Sequence, residues 1–347
     1  MKSRSFIFSG IFVLFLYIVS EILLRLGLLF FGYPFFRPSD YLYSGFYANM
    51  KEVSSNEIRR GGEVKNVLIL GGSVVSTAWT HMESRLDTIL QKHYGKRARY
   101  AFYNVADAGH TSRDNALKYS LLGEKRFDLV LYYEAINENR ANNVPAQDFR
   151  QDYSHMRWYH DIYLLQSHPE INITVIPYVL DKVMGNVKDR LEHRVYISHG
   201  EVDPQFAQYG SDIKTEEPYR RNLEEIITIA KKRGDKLLLV SYASFFPENV
   251  LLTGEEKDMQ HFAGCNRFVA TPVVMWGRPE NVKKGIAIHN QVLKGLVNKH
   301  NTLFLDMERR MPRDPELFCD VCHLSGPGAQ RLAHEITEFI VRHKLLE

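Results

Sequence analysis

At about 150 residues per domain, the 347 residues allow two domains or one large one with insertions. A content of 45% hydrophobic, 24% charged and 12% aromatic residues excludes a disordered chain. Lys plus Arg is 44 against 41 Asp plus Glu, a net +3 of which residues 1–40 hold +2, so the remainder carries no electrostatic footprint for nucleic acid.

The chain begins with an apolar segment. Lys2 and Arg4 precede a run from Phe6 to Val19, and a second run extends from Ile22 to Phe36. Glu21 and Arg25 interrupt it at i,i+4 spacing, where they can pair on one helix face. A helix from Phe6 to Phe31 would reach roughly 39 Å, enough to cross a core of about 30 Å with tilt. A cleaved signal peptide is the rival reading, but no A-x-A-like site follows the first run and a second apolar block does. The expectation is therefore a single-pass signal-anchor over residues 1–36. The preceding positive charge predicts an N-inside orientation, with the rest of the chain extracytoplasmic. Residues 37–64, polar and mixed in charge, read as a linker.

From residue 65 the pattern alternates. Apolar runs predict strands at Lys65–Leu70, Arg99–Val105, Asp128–Tyr133, Lys236–Tyr242 and Thr302–Asp306. Helical spacing predicts helices at Met82–His93, Ser112–Leu122 with a Ser cap, Thr215–Arg233 with Thr215 capping, Pro279–His300, and a last one from about Ser325. The Thr215 helix has Glu216 and Glu217 in its first turn, Lys231–Arg233 in its last and Gly234 beyond. Apolar strands alternating with amphipathic helices predict an α/β protein with a mainly parallel five-stranded sheet covered on both faces. The domain is placed at 65–347, with an insertion at about 140–211 where the alternation lapses. Within it, Val175, Val179, Val183, Val187 and Leu191 recur every four residues and predict an amphipathic helix. The favoured expectation packs it on the main domain; the sharper one makes it a lid or a membrane-facing cap.

In a parallel sheet, ligands bind beyond the carboxyl ends of the strands. Ser73 follows the first predicted strand, Gly109 the second and Asn137 the third, and Asp320 and His323 follow the fifth. Ser73 is a candidate nucleophile on a turn leading into a helix, His323 its base, and Asp320 the group that orients the imidazole. Gly109, lacking a Cβ, brings its N–H close to an oxyanion; Asn137 adds a side-chain N–H and Ser73 a backbone N–H.

These residues lie in stretches that resemble the SGNH (GDSL-like) hydrolases: VLILGGSVV (67–75), NVADAGHTS (104–112), DLVLYYEAINENR (128–140) and DVCHLSGPGAQRLA (320–333), in the family's order. The resemblance implies a three-layer α/β/α sandwich. It further implies ester hydrolysis by Ser73 and His323 assisted by Asp320, with Gly109 and Asn137 joining Ser73 in the oxyanion hole; no metal or other cofactor is expected. The sequence departs from the family at Gly72, where many members have Asp, at Ala135 for a usual Gly, and at Glu138 for the Asp of an N-D pair. The expected substrate is an acylated glycan or lipid, with ester groups such as O-acetyl. Alternatives are an acyltransferase using the same triad and a non-catalytic protein of envelope-polysaccharide assembly.

Cys319-Asp-Val-Cys322-His323 also spells the C-x-x-C-H of c-type haem attachment, but haem would leave Ser73, Gly109 and Asn137 unexplained. The three cysteines suit no structural zinc site, and two of Cys265, Cys319 and Cys322 can form a disulfide in an oxidising compartment. His110 reads as a packing or loop residue.

Overall fold

A computed structural model describes residues 2–95, 99–200, 202–265 and 275–347, with side chains from Ile7 onward; those of Lys2 and Arg4 lie outside the described set. The chain divides into two compact units, residues 1–51 with 157–196, and residues 52–156 with 197–347. These boundaries cut through both the expected linker and the expected insertion.

The second unit holds the sheet: β1 Val64–Gly71, β2 Arg99–Asn104, β3 Leu129–Tyr133, β4 Lys236–Val240 and β5 Leu303–Leu305. All neighbours are parallel, in the order β2-β1-β3-β4-β5. The strands β1, β3 and β4 are almost wholly buried, which is why they read as continuous apolar runs. Seven of the helices among the described residues are α1 Lys2–Phe30, α2 Met82–Tyr94, α3 Ser112–Leu121, α4 Ile176–Leu191, α5 Glu216–Arg233, α6 Pro279–His300 and α7 Gly326–Arg342. Right-handed crossovers put α2 on one face of the sheet, where it packs on α7, and α3, α5 and α6 side by side on the other. The result is the three-layer α/β/α arrangement. The chain leaves β1 toward β2 and returns past it to β3, so the order reverses beside β1. Ile69 pairs with Asn104 and Gly71 with Tyr133, which brings the carboxyl ends of β1, β2 and β3 level.

Three local expectations are corrected. The cap of α3 is Thr111, not Ser112: its side chain accepts from Arg113 N, and the Asp114 carboxylate takes the Thr111 N–H. Thr215 makes no side-chain cap, because its hydroxyl is hydrogen-bonded to His289 Nε2 at 3.0 Å. Nor does Ser73 open a long helix. It starts a single 3-10 turn, Ser73–Val75, and α2 begins only at Met82, so little macrodipole is directed at its hydroxyl.

In the first unit, Ile7–Phe30 is long and apolar enough to cross a membrane, with a mean hydropathy of 2.4. The expected Glu21–Arg25 pair forms at 2.7 Å. Its remaining hydrogen-bonding capacity is met by the chain before α4. Arg25 donates to the Phe35, Asn172 and Ile173 carbonyls, and the Glu21 carboxylate accepts from Thr174 Oγ and Val175 N. The amphipathic helix α4 thus belongs to the compact unit of α1, and not to that of the sheet as the favoured expectation had it. The first half of the expected linker is folded too, because its aromatic residues find partners: Tyr41 stacks on Tyr33 with centroids 3.8 Å apart, and Phe46 meets Trp158 at 5.0 Å.

Candidate active site

Ser73, His323 and Asp320 come together from opposite ends of the second unit's sequence. Ser73 Oγ lies 2.7 Å from His323 Nε2, and His323 Nδ1 lies 2.7 Å from Asp320 Oδ2. The other Asp320 oxygen accepts the backbone N–H groups of Cys322 (2.8 Å) and His323 (2.7 Å), so a tight turn locks the carboxylate under the imidazole. Burial alone would push the Asp320 carboxyl up, but the His323 charge and these hydrogen bonds outweigh it and hold it below its usual range. An ionised Asp320 fixes the proton on Nδ1 and leaves Nε2 free to accept from the Ser73 hydroxyl.

Asn137 reaches the turn that carries Ser73 and the loop that carries Gly109. Asn137 Nδ2 donates to His110 O at 3.1 Å, and its Oδ1 accepts from Trp276 Nε1 at 3.2 Å. The indole therefore decides which way the amide points: its NH2 group faces the loops after β1 and β2. A Cβ on Gly72 would lie 2.8 Å from that Nδ2, so the amide sits against the turn that carries Ser73. Gly109 has φ +74°, and a Cβ there would lie 2.8 Å from His199 and 3.0 Å from Arg140. Only glycine meets both conditions.

Several contributors were not singled out from sequence. Glu134, at the end of β3, fills the space beside Gly72 and accepts the Asn137 N–H at 2.7 Å. Burial pushes its carboxyl well above the ordinary range, partly offset by that N–H. An acid ending an apolar strand was the available signal. Trp79 and Trp276 lie against the His323 ring, with centroids 4.6 and 5.6 Å away, and Trp79 Nε1 donates to Leu324 O. The departures at Gly72 and Glu138 have structural counterparts. At Gly72 the Glu134 carboxyl occupies the side-chain space, and buried Glu138 accepts the Ser112 N–H (2.6 Å) and the Tyr153 hydroxyl. Nothing in the structure explains Ala135. His110 is buried, with Nδ1 2.8 Å from Lys118 Nζ, and packs as a loop residue.

Cys265 is disulfide-bonded to Cys319, and Cys322 is free and buried. Cys319 is thus occupied, which overturns the haem spelling. Ligand atoms of Asp320, Cys322 and His323 lie within 4.8 Å of one another, but His323 Nδ1 is already committed to Asp320, and no fourth ligand joins them among the described residues.

No family model and no curated protein matches the chain. Solved structures similar to it include an acetylxylan esterase from Geobacillus stearothermophilus at 13% identity and TM-score 0.42, covering 80% of this chain and 94% of that one. A protein from Parabacteroides merdae described as a GDSL-like lipase matches at 10% identity and TM-score 0.46, over 84% and 100%. An alpha/beta hydrolase enzyme from the metagenome of Lake Arreo matches at 12% and 0.43, over 82% and 96%.

Proposed function

We propose that this chain is a membrane-anchored serine esterase of the SGNH type, acting outside the cytoplasm on an acylated glycan or lipid. The observation that carries the reading is the unbroken hydrogen-bonded line from Ser73 Oγ through His323 to Asp320. In the first step His323 Nε2 takes the hydroxyl proton as Ser73 Oγ attacks the acyl carbonyl. The oxyanion is received by N–H groups from Ser73, Gly109 and Asn137. As the tetrahedral intermediate collapses, the alcohol leaves with the proton held by His323, and water repeats the sequence to free the acid. Asp320 stays ionised throughout and stabilises the imidazolium.

Two features support the location. The apolar residues of α1 are exposed throughout its first half, from Ile7 to Ile18, and the Cys265–Cys319 disulfide suits an oxidising compartment. A fluorophosphonate probe tests the chemistry without knowledge of the substrate. Labelling of wild type, lost in Ser73→Ala, is expected; equal labelling of both proteins, or of neither, rejects the assignment.

A further inference from the structure

The helix α4 has an apolar face that its own unit leaves uncovered. Leu180, Val183, Met184, Val187 and Leu191 are 53–76% exposed, and at 3.6 residues per turn they fall within an arc of about 100°. Ile173, just before the helix, is 83% exposed. The opposite side is buried, through Tyr178 and Asp189. Lys188 and Arg190 border the apolar arc on its two edges. There their stems can lie along apolar surface while their charges reach upward. Asp181, farther round one edge, lies 3.2 Å from His168 Nε2.

What covers this face is indicated by α1. The hydrogen bonds that Arg25 donates to residues 172 and 173, and that Glu21 accepts from residues 174 and 175, fasten the start of α4 to the last third of α1. Apolar exposure on α1 does not stop at that junction, since Ile22 and Leu23 within it and Leu26, Leu29 and Phe30 beyond it are all exposed. The uncovered faces of α1 and α4 therefore belong to one unit, joined by a fixed polar hinge.

We infer that α4 is an in-plane membrane helix, lying in the bilayer surface with Leu180, Val183, Met184, Val187 and Leu191 in the acyl region and Lys188 and Arg190 at the phosphates. The inference rests on the anchoring proposed for α1 and goes beyond it. The chain would grip the membrane at two points, fixing the rotation of its first unit about the bilayer normal as a lone spanning helix cannot. Sequence and structure both have the form of such helices: a narrow apolar stripe, basic flanks and modest overall hydrophobicity.

The test uses the full-length protein in nanodiscs of phosphatidylcholine and phosphatidylglycerol. An environment-sensitive fluorophore is attached singly at Met184→Cys, Leu191→Cys, Glu192→Cys or Phe15→Cys, all exposed positions that leave the buried side of each helix intact. Lipids brominated near the carbonyl end should quench the Met184 and Leu191 labels, which iodide should not reach. The Glu192 label should respond to iodide, and lipids brominated deep in the chain should quench Phe15. If Phe15 is quenched but Met184 and Leu191 respond to iodide, the in-plane helix is wrong and the anchor stands. Labels at Met184 and Leu191 shielded from both quenchers would mean a protein covers the face, which also overturns the inference. If Phe15 is not quenched by lipid, the anchoring and the inference fall together.

Discussion

Replacing Gly72 with alanine should damage the site far more than it damages the fold. Gly72 has φ −97°, a conformation open to any residue, so its need for glycine is a matter of space. A Cβ there would stand 2.0 Å from Glu134 Oε2 and 2.8 Å from Asn137 Nδ2. The first distance falls short of ordinary contact by about 1.5 Å, so the Glu134 carboxyl must move. That carboxyl holds the Asn137 N–H, and Asn137 carries a proposed oxyanion donor. Overpacking of this kind typically costs about 1–3 kcal/mol of stability. Losing one oxyanion donor costs roughly 10² to 10³ in rate. The expected outcome for Gly72→Ala is thus a folded protein with fluorophosphonate labelling and kcat/KM on p-nitrophenyl acetate reduced by about two orders of magnitude. Adding Glu134→Asp, which withdraws the carboxyl by one methylene, should restore part of the loss. Urea unfolding and labelling rates on the two variants read both effects. Wild-type labelling in Gly72→Ala, or a double variant no better than the single, would refute the reasoning.

Three further outcomes are expected. His323→Ala should abolish ester turnover while Asp320→Ala leaves a measurable residue, since only His323 moves the proton; near-wild-type rates in both would sink the triad. Burial pushes the Glu138 carboxyl up to about 7 from 4.5, against hydrogen bonds from Tyr153 and Ser112. The folded protein then keeps a proton that the unfolded chain releases, so stability falls as pH rises through that window. Glu138→Gln should remove this slope, gaining on wild type by up to ~3 kcal/mol between pH 4 and 8, and parallel stability–pH curves would contradict it. The Cys265–Cys319 disulfide spans a sequence separation of 54, for which loop-closure entropy gives about 4 kcal/mol. Cys265→Ala should therefore lower the melting temperature and, because Cys319 adjoins Asp320, also slow labelling. An unchanged melting temperature would show that the cross-link contributes nothing.

The parallel sheet was legible in the sequence because β1, β3 and β4 are buried on both faces, and nothing but continuous apolar residues satisfies that environment. The residues at strand ends were legible for a related reason. A polar or glycine residue directly after such a run has left the sheet, and in a parallel fold all such points lie at one end. Helix ends were read less well. Thr111 and Thr215 are alike in sequence terms, yet one caps its helix and the other bonds to His289, and that choice is made by a residue 74 positions away. The role of Glu134 was hidden because its effect depends on the space left by Gly72 in the turn after a neighbouring strand. Cysteine pairing was open for the same reason, since three thiols permit three bonds and only their positions in space select one. The period of α4 was plain in its valines, but a period says only that a face exists. Which side is buried, and that the helix joins the unit of α1, was decided by Glu21 and Arg25 meeting the backbone of residues 172–175. Local sequence determines which elements form, because burial and hydrogen bonding constrain each residue where it stands; the partners of polar side chains are set by distant segments, and only the assembled chain selects them.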